Sequence, residues 1–208
     1  RLTDTPQPNT EYGKSKLKAE EFLMALSAEA SAMGATLFPW VILRPTGVYG
    51  PRERDYFLMA KSIKQHVDFS VGYQKQEITF IYVKDLVQAI FLGIEKGVTR
   101  REYFVSDGRV YESRTFSDLL QQELGNPWLW RIKAPLWLLK AICTVGGVLG
   151  KILHKPITLN PDKYQIMKQR NWQCDIQPLI DELGYQPQYP LERGVKEAVA
   201  WYKENKWL

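Results

Sequence analysis

The sequence predicts an α/β fold with a parallel sheet, followed from about residue 126 by a mostly helical region. From residue 10 to about 125, helix-like and strand-like segments alternate, as they do in α/β domains. A nearly continuous apolar run covers residues 36–43, which is typical of a parallel strand buried on both faces. A stripe with alternating spacings of four and three residues begins at Tyr12, and this spacing predicts a long helix.

The elements follow from caps, breakers and apolar runs. The first helix is predicted to begin after a cap at Asn9 or Thr10 and to end at Gly34. Thr36–Leu43 predicts a strand, and the Gly and Pro content of Arg44–Pro51 predicts a loop. The remaining predicted elements are strands at 78–83 and 103–106 and helices at 55–65, 86–95, 115–124, 161–169, 176–183 and 191–205. We divide the chain into a first part, residues 1–125, and a second part, residues 126–208.

Tyr12 and Lys16 begin the stripe of the first helix and are its only polar members. The stripe continues through Ala19, Leu23, Leu26, Ala30 and Met33. Such a face normally packs on a core, so we expect the pair to point into a cleft. An ammonium beside a phenol favours the phenolate, and a tyrosine shifted in this way exchanges a proton with a substrate oxygen.

The same spacing occurs twice more, at Tyr164/Lys168 and Tyr202/Lys206. Eleven tyrosines in a Lys-rich chain should produce such matches by chance. We interpret both later pairs as solvated helix faces and assign the functional reading to Tyr12/Lys16, which has small neighbours and a cap.

Composition excludes several classes of protein. Two cysteines and two histidines in 208 residues offer neither a disulfide framework nor good material for a zinc site or a Ser-His-Asp triad. No metal site is predicted. The start of the chain does not resemble a secretory signal, and the cysteine usage indicates a reducing compartment, so we expect a cytoplasmic location.

Positive charge is concentrated between Arg131 and Arg170. This segment has eight Lys or Arg residues (131, 133, 140, 151, 155, 163, 168 and 170) against Asp162. A basic patch of this kind indicates a membrane surface, nucleic acid or a phosphorylated substrate as partner, or simply a solvated face. Nucleic acid is disfavoured because no recognised binding module is present.

The apolar segment Pro135–Leu153 lies inside the basic segment. Its uninterrupted part, Ala141–Gly150, is about half of what a membrane span requires, so we predict no transmembrane helix. A helix lying on a membrane surface, or covering a substrate pocket, stays open.

Three motifs carry a family resemblance. They are Tyr12-Gly-Lys-Ser-Lys16 with Glu20, Leu43-Arg-Pro-Thr-Gly-Val-Tyr-Gly-Pro51, and Phe80-Ile-Tyr-Val-Lys-Asp85. In this order and at these intervals they resemble the C-terminal half of extended short-chain dehydrogenase/reductases, the NAD(P)-dependent epimerase/dehydratase family. The resemblance implies the C-terminal part of a Rossmann-like doubly wound parallel sheet plus a mostly helical substrate-binding region.

The resemblance also implies residue roles. Tyr12 would be the catalytic acid/base, and Lys16 would bind the nicotinamide ribose and favour ionised Tyr12. Further implied contacts are the nicotinamide side of NAD or NADP for Arg44, Pro45 and Thr46, and a small-molecule substrate for Tyr49, Arg52 and Tyr56. Alternatively, Pro45 and Gly50 only shape a turn. Asp85 is interpreted as a helix cap or the partner of a buried base.

The family's glycine-rich pyrophosphate turn does not occur in these 208 residues. The chain therefore resembles a fragment, which we expect to bind NAD(P) weakly and to be inactive alone. A bare sheet edge would favour a homo-oligomer.

Two functional hypotheses follow. The first is an oxidoreductase of the epimerase/dehydratase type that acts on a carbonyl or secondary alcohol. Within it, an apolar, hydroxysteroid-like substrate is favoured over a nucleotide sugar by the aromatic-rich segment Trp128–Trp137 and by Glu77-Ile-Thr79. The second is a non-catalytic binding protein or membrane-surface scaffold that works through residues 131–170.

Overall fold

The computed structural model describes residues 1–35, 39–155, 157 and 159–208. The predicted beginning of the first strand, residues 36–38, lies outside the described residues. The elements in chain order are α1 Glu11–Ala32, β1 Val41–Pro45, β2 Gly47–Tyr49, α2 Arg54–Lys64, β3 Val67–Val71, β4 Glu77–Ile78, β5 Phe80–Tyr82, α3 Val83–Glu95, β6 Arg101–Val105, β7 Tyr111–Glu112, α4 Thr115–Glu123, β8 Trp130–Ala134, α5 Leu136–Leu153, α6 Pro161–Met167, β9 Asn171–Trp172, α7 Gln177–Leu183 and α8 Leu191–Glu204.

Parallel pairing dominates the sheets. β1 pairs with β6, β2 with β5 and β3 with β8, all in parallel. β4 pairs with β7 in antiparallel and with β9 in parallel orientation. The predicted α/β class with parallel strands is therefore confirmed.

Three strands, β2, β3 and β8, correct the predicted pattern. The predicted loop Arg44–Pro51 contains the end of β1 and all of β2. The pair of β3 and β8 was not predicted at all, because charged residues interrupt both strands. Within β3, Asp68 is buried and its carboxylate accepts a 3.0 Å hydrogen bond from Arg114. This compensated charge hides the strand from an argument based on apolar runs.

The division at residue 125 stays a prediction. β8 from the second part pairs with β3 from the first, and α8 packs on α4. The two parts are therefore in direct contact.

The buried face of α1 differs from the predicted stripe. Thr10 is the cap, as predicted, because its hydroxyl accepts a 3.0 Å bond from the Gly13 amide. The predicted stripe members Ala19, Leu26 and Met33 are exposed, whereas Ser27 is buried. The stripe members Leu23 and Ala30 are half-buried beside Ser27. The inner face is therefore centred on Ser27 and Glu20, which make polar contacts, and overlaps only part of the predicted apolar stripe.

The core lies on both sides of β5. Phe80 and Tyr82 join one buried cluster with Tyr49 and with α8, while Ile81 joins a second cluster with β6 and α7. This division follows from the two-residue period of a strand, which sends successive side chains to opposite faces.

α5 is a single helix that continues through Lys140 and Lys151. It has 18 residues with a mean hydropathy of 1.7, which by length and composition is enough to cross a membrane, and 17% of it is buried. The prediction against a membrane span considered only the uninterrupted apolar part. Of the helix, Leu139, Cys143 and Gly146 are buried.

Candidate functional site

Two contacts fix the direction of α1 relative to β1. The Trp40 indole, just before the strand, donates a 2.6 Å bond to Ser27 Oγ. Arg44, near the end of the strand, donates to Glu20 Oε1 and Oε2 at 3.0 and 2.6 Å. α1 therefore runs antiparallel to β1, and Tyr12, about two turns before Glu20, lies about 12 Å beyond that contact. The helix start thus lies towards the carboxyl end of β1, where open α/β sheets bind ligands.

Tyr12 and Lys16 lie together on this first part of α1. The Lys16 ammonium is 5.4 Å from the centre of the Tyr12 ring. Tyr12 is 67% exposed and Lys16 is exposed too. The expectation that the pair points into a cleft is therefore corrected. Within the described part of the chain the pair is on an open surface, because the stripe that continues it does not pack on the core.

Three helix starts meet around this surface. The Glu11 amide, in the first turn of α1, donates a 2.9 Å bond to Asp162 of α6. Lys163 of α6 donates a 3.4 Å bond to Asp55 of α2. The first turns of α1, α2 and α6 are thereby held together. Neither Glu20 nor Asp162 was singled out from the sequence as a positioning residue, although Glu20 belongs to the first family motif.

The guanidinium of Arg44 is committed to carboxylates. Besides Glu20 it forms an ion pair with Glu102 of β6. The hydrogen bond to Glu20 is the main reason that the pKa of Arg44 is raised. Arg44 thus holds α1 against β1 and β6. Its implied contact with the nicotinamide stays a prediction.

Pro45 and Thr46 stand where β1 ends. Pro45 is exposed, and the Thr46 amide donates a 3.1 Å bond to the Val105 carbonyl. The backbone there is fixed by β6, and Pro45 lines the end of an apolar groove between β1 and α3. Their implied role beside the cofactor stays a prediction.

Tyr49 is corrected from a substrate contact to a core residue. It is 1% exposed and packs edge-on against Phe80 and Phe116, with ring centres 6.2 and 5.3 Å away. Burial raises the pKa of its hydroxyl. That hydroxyl has no hydrogen-bond partner among the described residues.

Tyr56 and Arg52, the other two predicted substrate contacts, differ in placement. Tyr56 is half-buried, and its ring lies 4.7 Å from that of Phe116. A side chain at Gly47 would run into the Tyr56 hydroxyl, which explains the glycine there. Arg52 is exposed, with a left-handed φ of 69°. Of the three predicted substrate contacts, only Arg52 is exposed to solvent.

Asp85 has a structural role, as interpreted, but with an unexpected partner. Its two carboxylate oxygens accept 3.0 Å bonds from the backbone amides of Gln188 and Tyr189. Burial raises its pKa and these two bonds oppose the rise. The carboxylate therefore ties the start of α3 to the loop before α8.

The later Tyr–Lys pairs differ from each other. Lys168 lies 5.6 Å from the centre of the Tyr164 ring, nearly the geometry of Tyr12 and Lys16. Tyr202 is 1% exposed and donates a 3.1 Å bond to the Gly50 carbonyl, so its interpretation as a solvated face was wrong. Pair geometry alone therefore does not identify a site.

An apolar groove with a volume of about 680 Å³ reaches Pro45 but does not include Tyr12 or Lys16. It runs between β1 and α3 and is lined by apolar residues that include Leu43, Leu86 and Ile90. Leu43 and Arg44 point to opposite faces of β1. The groove therefore lies on the face of β1 away from Glu20 and α1. Among the described residues, no group of three or more His, Cys, Asp or Glu side chains is arranged to hold a metal ion.

Comparison with known proteins decides the family. Residues 1–106, which include Tyr12 and Lys16 but neither of the later pairs, match the NAD dependent epimerase/dehydratase family. The chain belongs to this family. The resemblance inferred from the three motifs is thereby confirmed.

Curated relatives of this epimerase/dehydratase-family chain include both reductase and sugar-nucleotide enzymes. It is 27% identical to bovine short-chain dehydrogenase/reductase family 42E member 1, over 93% of this chain and 51% of the relative. It is 26% identical to UDP-glucose 4-epimerase of Vibrio cholerae, over 99% and 58%. It is 25% identical to human dTDP-D-glucose 4,6-dehydratase, over 96% and 50%. The chain spans about half the length of the curated relatives it matches.

Solved structures agree in fold. The dTDP-glucose 4,6-dehydratase of Bacillus anthracis in complex with NAD matches all of this chain and 56% of its own, with a TM-score of 0.71 at 17% identity. UDP-glucose 4-epimerase of Thermotoga maritima with UDP-glucose matches 99% of this chain and 57% of its own, with a TM-score of 0.71 at 21% identity. The described residues of this chain thus have a Rossmann-like fold.

Proposed function

We propose that this chain supplies the proton-transferring pair and the substrate side of an NAD(P)-dependent oxidoreductase of the epimerase/dehydratase type. The reaction is hydride transfer at a carbonyl or a secondary alcohol. The observation that carries the proposal is the position of Tyr12 and Lys16, which the contacts of Ser27 and Glu20 put beyond the carboxyl end of β1.

The chemistry of the pair fits this role. In the direction of reduction, the Tyr12 hydroxyl donates its proton to the substrate carbonyl oxygen as the carbonyl carbon gains a hydride. In the opposite direction, the Tyr12 oxygen takes the proton of the alcohol. The neighbouring Lys14 pairs with Glu11, whereas Lys16 forms no ion pair with any residue that the structure describes. The Lys16 ammonium is therefore available to ribose hydroxyls and to the Tyr12 oxygen.

The described residues fit one end of a nicotinamide cofactor. Lys16 and the Pro45–Thr46 segment would hold its ribose and nicotinamide end, and when bound the cofactor supplies or accepts the hydride. The sequence has no glycine-rich turn followed by a helix to hold the pyrophosphate. We therefore propose that the active protein contains such a part and that these residues alone are inactive.

The experiment compares Tyr12→Phe with Tyr164→Phe in the protein that joins this chain to its glycine-rich part. We expect Tyr12→Phe to lower kcat by about 100-fold or more, with an unchanged Kd for NADH and NADPH. Tyr164→Phe is the matched control, because Lys168 lies over its ring at a similar distance, and it should retain activity.

The same assay separates the second candidate, a non-catalytic scaffold. A scaffold would show no turnover with either apolar ketones or nucleotide sugars, and Tyr12→Phe would leave its properties unchanged. Equal loss of activity in both tyrosine variants would also remove Tyr12 from the proposed role. The substrate panel itself decides between the apolar and the sugar-nucleotide class.

A further inference from the structure

The outward face of α5 is an apolar surface without cover in the described structure. Its inward face packs on Leu159 and Pro161, at the start of α6. A side chain at Gly146 would collide with the Leu159 carbonyl, and one at Gly147 would lie 2.8 Å from the Pro161 ring. The outward face carries large exposed apolar side chains, namely Trp137, Ile142, Val145, Val148, Leu149 and Ile152. At 3.6 residues per turn these six lie within an arc of about 140°.

Basic side chains border this face. Lys140 and Lys151 project from the flank of α5 between its inward and outward faces, and both are exposed. Lys133 precedes the helix and Lys155 follows it, also exposed. The sequence has no acidic residue between Glu123 and Asp162. The flank of the apolar face is therefore uniformly positive.

We propose that the outward face of α5 binds the surface of a lipid bilayer that contains anionic lipids. A helix with one broad apolar face and a lysine flank lies in the interfacial plane, with its apolar side chains in the acyl boundary and its ammonium groups at the phosphates. Trp137 stands at the start of the face, and tryptophan is enriched at membrane–water interfaces.

The inward contacts favour a surface orientation over a span. Leu139, Cys143 and Gly146 are buried, Gly146 lies against the Leu159 carbonyl, and α5 packs on α6. To cross the bilayer, α5 would have to leave these contacts. It would also place Lys140 and Lys151, which are eleven residues apart, at two depths of the hydrocarbon. Binding in the plane keeps both the packing and the hydration of the lysines.

The first test measures flotation of the purified chain with phosphatidylcholine vesicles, with and without phosphatidylserine. We expect binding to the vesicles with phosphatidylserine, weaker binding without it, and release as salt is raised. Replacing Lys140 and Lys151 by Gln should weaken binding to the anionic vesicles several-fold for each residue. Absence of binding to anionic vesicles would overturn the proposal.

The second test compares two matched variants. Ile152 of α5 is 65% exposed and Ile94 of α3 is 69% exposed, so Ile152→Glu and Ile94→Glu add the same charge at equally open positions. We expect Ile152→Glu to lower vesicle binding about tenfold or more and Ile94→Glu to leave it nearly unchanged. Circular dichroism confirms that both variants are folded. An equal effect of the two variants would contradict the assignment to α5.

A third measurement uses the intrinsic fluorescence of Trp137. Lipids brominated on their acyl chains should quench tryptophan fluorescence, and Trp137→Phe should remove most of that quenching. A dimer that forms without vesicles and is lost in Ile152→Glu would assign the face to a second copy instead. Resistance of the protein to alkaline extraction from cell membranes would indicate a span. Either result overturns surface binding.

Discussion

Glu20 and Arg44 join the helix that carries Tyr12 to the strand that ends beside it. Arg44 Nε donates to Glu20 Oε1 at 3.0 Å and Arg44 Nη2 donates to Glu20 Oε2 at 2.6 Å, and Glu102 shares the guanidinium. Both side chains of this bidentate contact are largely shielded from solvent. Planar bidentate pairing needs the guanidinium fork, which lysine does not have.

Arg44→Ala should therefore destabilise the fold, because it leaves two neighbouring carboxylates without their common cation. We expect a loss of about 1–3 kcal/mol in the free energy of unfolding, measured with urea. Lys14→Ala, which breaks the exposed pair of Lys14 with Glu11, should cost clearly less, because solvent screens an exposed ion pair. Equal losses in the two variants would show that the Glu20–Arg44 contact contributes no more than a surface pair.

Tyr49→Phe tests the correction of Tyr49 from substrate contact to core residue. Since the buried hydroxyl has no partner among the described residues, its removal should leave the free energy of unfolding unchanged or raise it by about 1 kcal/mol. Activity of the complete protein should not change. A large loss of turnover without loss of stability would return Tyr49 to the substrate site.

Gly194→Ala tests the close approach of α8 to the same ring. A methyl group there would run into the Tyr49 hydroxyl and lie 2.9 Å from the ring carbon Cε2. We expect a loss of about 1–3 kcal/mol by urea unfolding, and a smaller loss when Gly194→Ala is combined with Tyr49→Phe. Simple additivity of the two changes would contradict the contact.

Alkaline pH should unfold this protein through its buried tyrosines. Burial raises the pKa of Tyr82 and of Tyr103 to about 12 and lifts the pKa of five others further, namely Tyr49, Tyr56, Tyr111, Tyr185 and Tyr202. An unfolded tyrosine has a pKa of about 10. The neutral phenols thus stabilise the folded state fully below pH 10, and this stability is lost as pH rises through the folded values.

Phenolate absorbance and far-ultraviolet circular dichroism measure this effect together. In the native protein a late absorbance phase should coincide with loss of helix signal. In denaturant all eleven tyrosines should titrate in one phase near pH 10. A single phase near pH 10 in the native protein, with the helix signal intact, would contradict the assigned burial.

Cofactor binding by the chain itself should be weak. The sequence has no glycine-rich pyrophosphate turn, and the described residues offer only the Tyr12 and Lys16 end of the site. Titration of NADH and NADPH into the purified 208 residues should therefore give no saturation in the micromolar range. Micromolar affinity would mean that other residues of this chain bind the pyrophosphate.

The sequence predicted the elements whose signals are local and missed those that depend on partners. The Thr10 cap and the extent of α2 follow from local side-chain and helical patterns. α7 ends before Gly184, which has a left-handed φ of 68° that favours glycine. β3 was missed because the carboxylate of Asp68 is compensated by Arg114, 46 residues further along the chain. No local pattern contains that information.

For the candidate site, too, local motifs were predictive and long-range packing was not. The three motifs sufficed to identify the family, and the first of them contains Tyr12 and Lys16. The burial of Tyr49 could not be foreseen, because it depends on Phe116 and on α8, which pack around the ring from distant parts of the sequence. The exposed face of α1 was misjudged because Ser27 and Glu20 are polar yet lie on its inner side.

α1 buries only Ser27 among its 22 residues. Its amide protons should exchange with solvent deuterium well before those of α8, which has six buried residues in 14. The proton donor of the proposed reaction then resides on a weakly protected helix. In the complete protein, warming or mild urea should accordingly abolish turnover while tryptophan emission still reports a folded core.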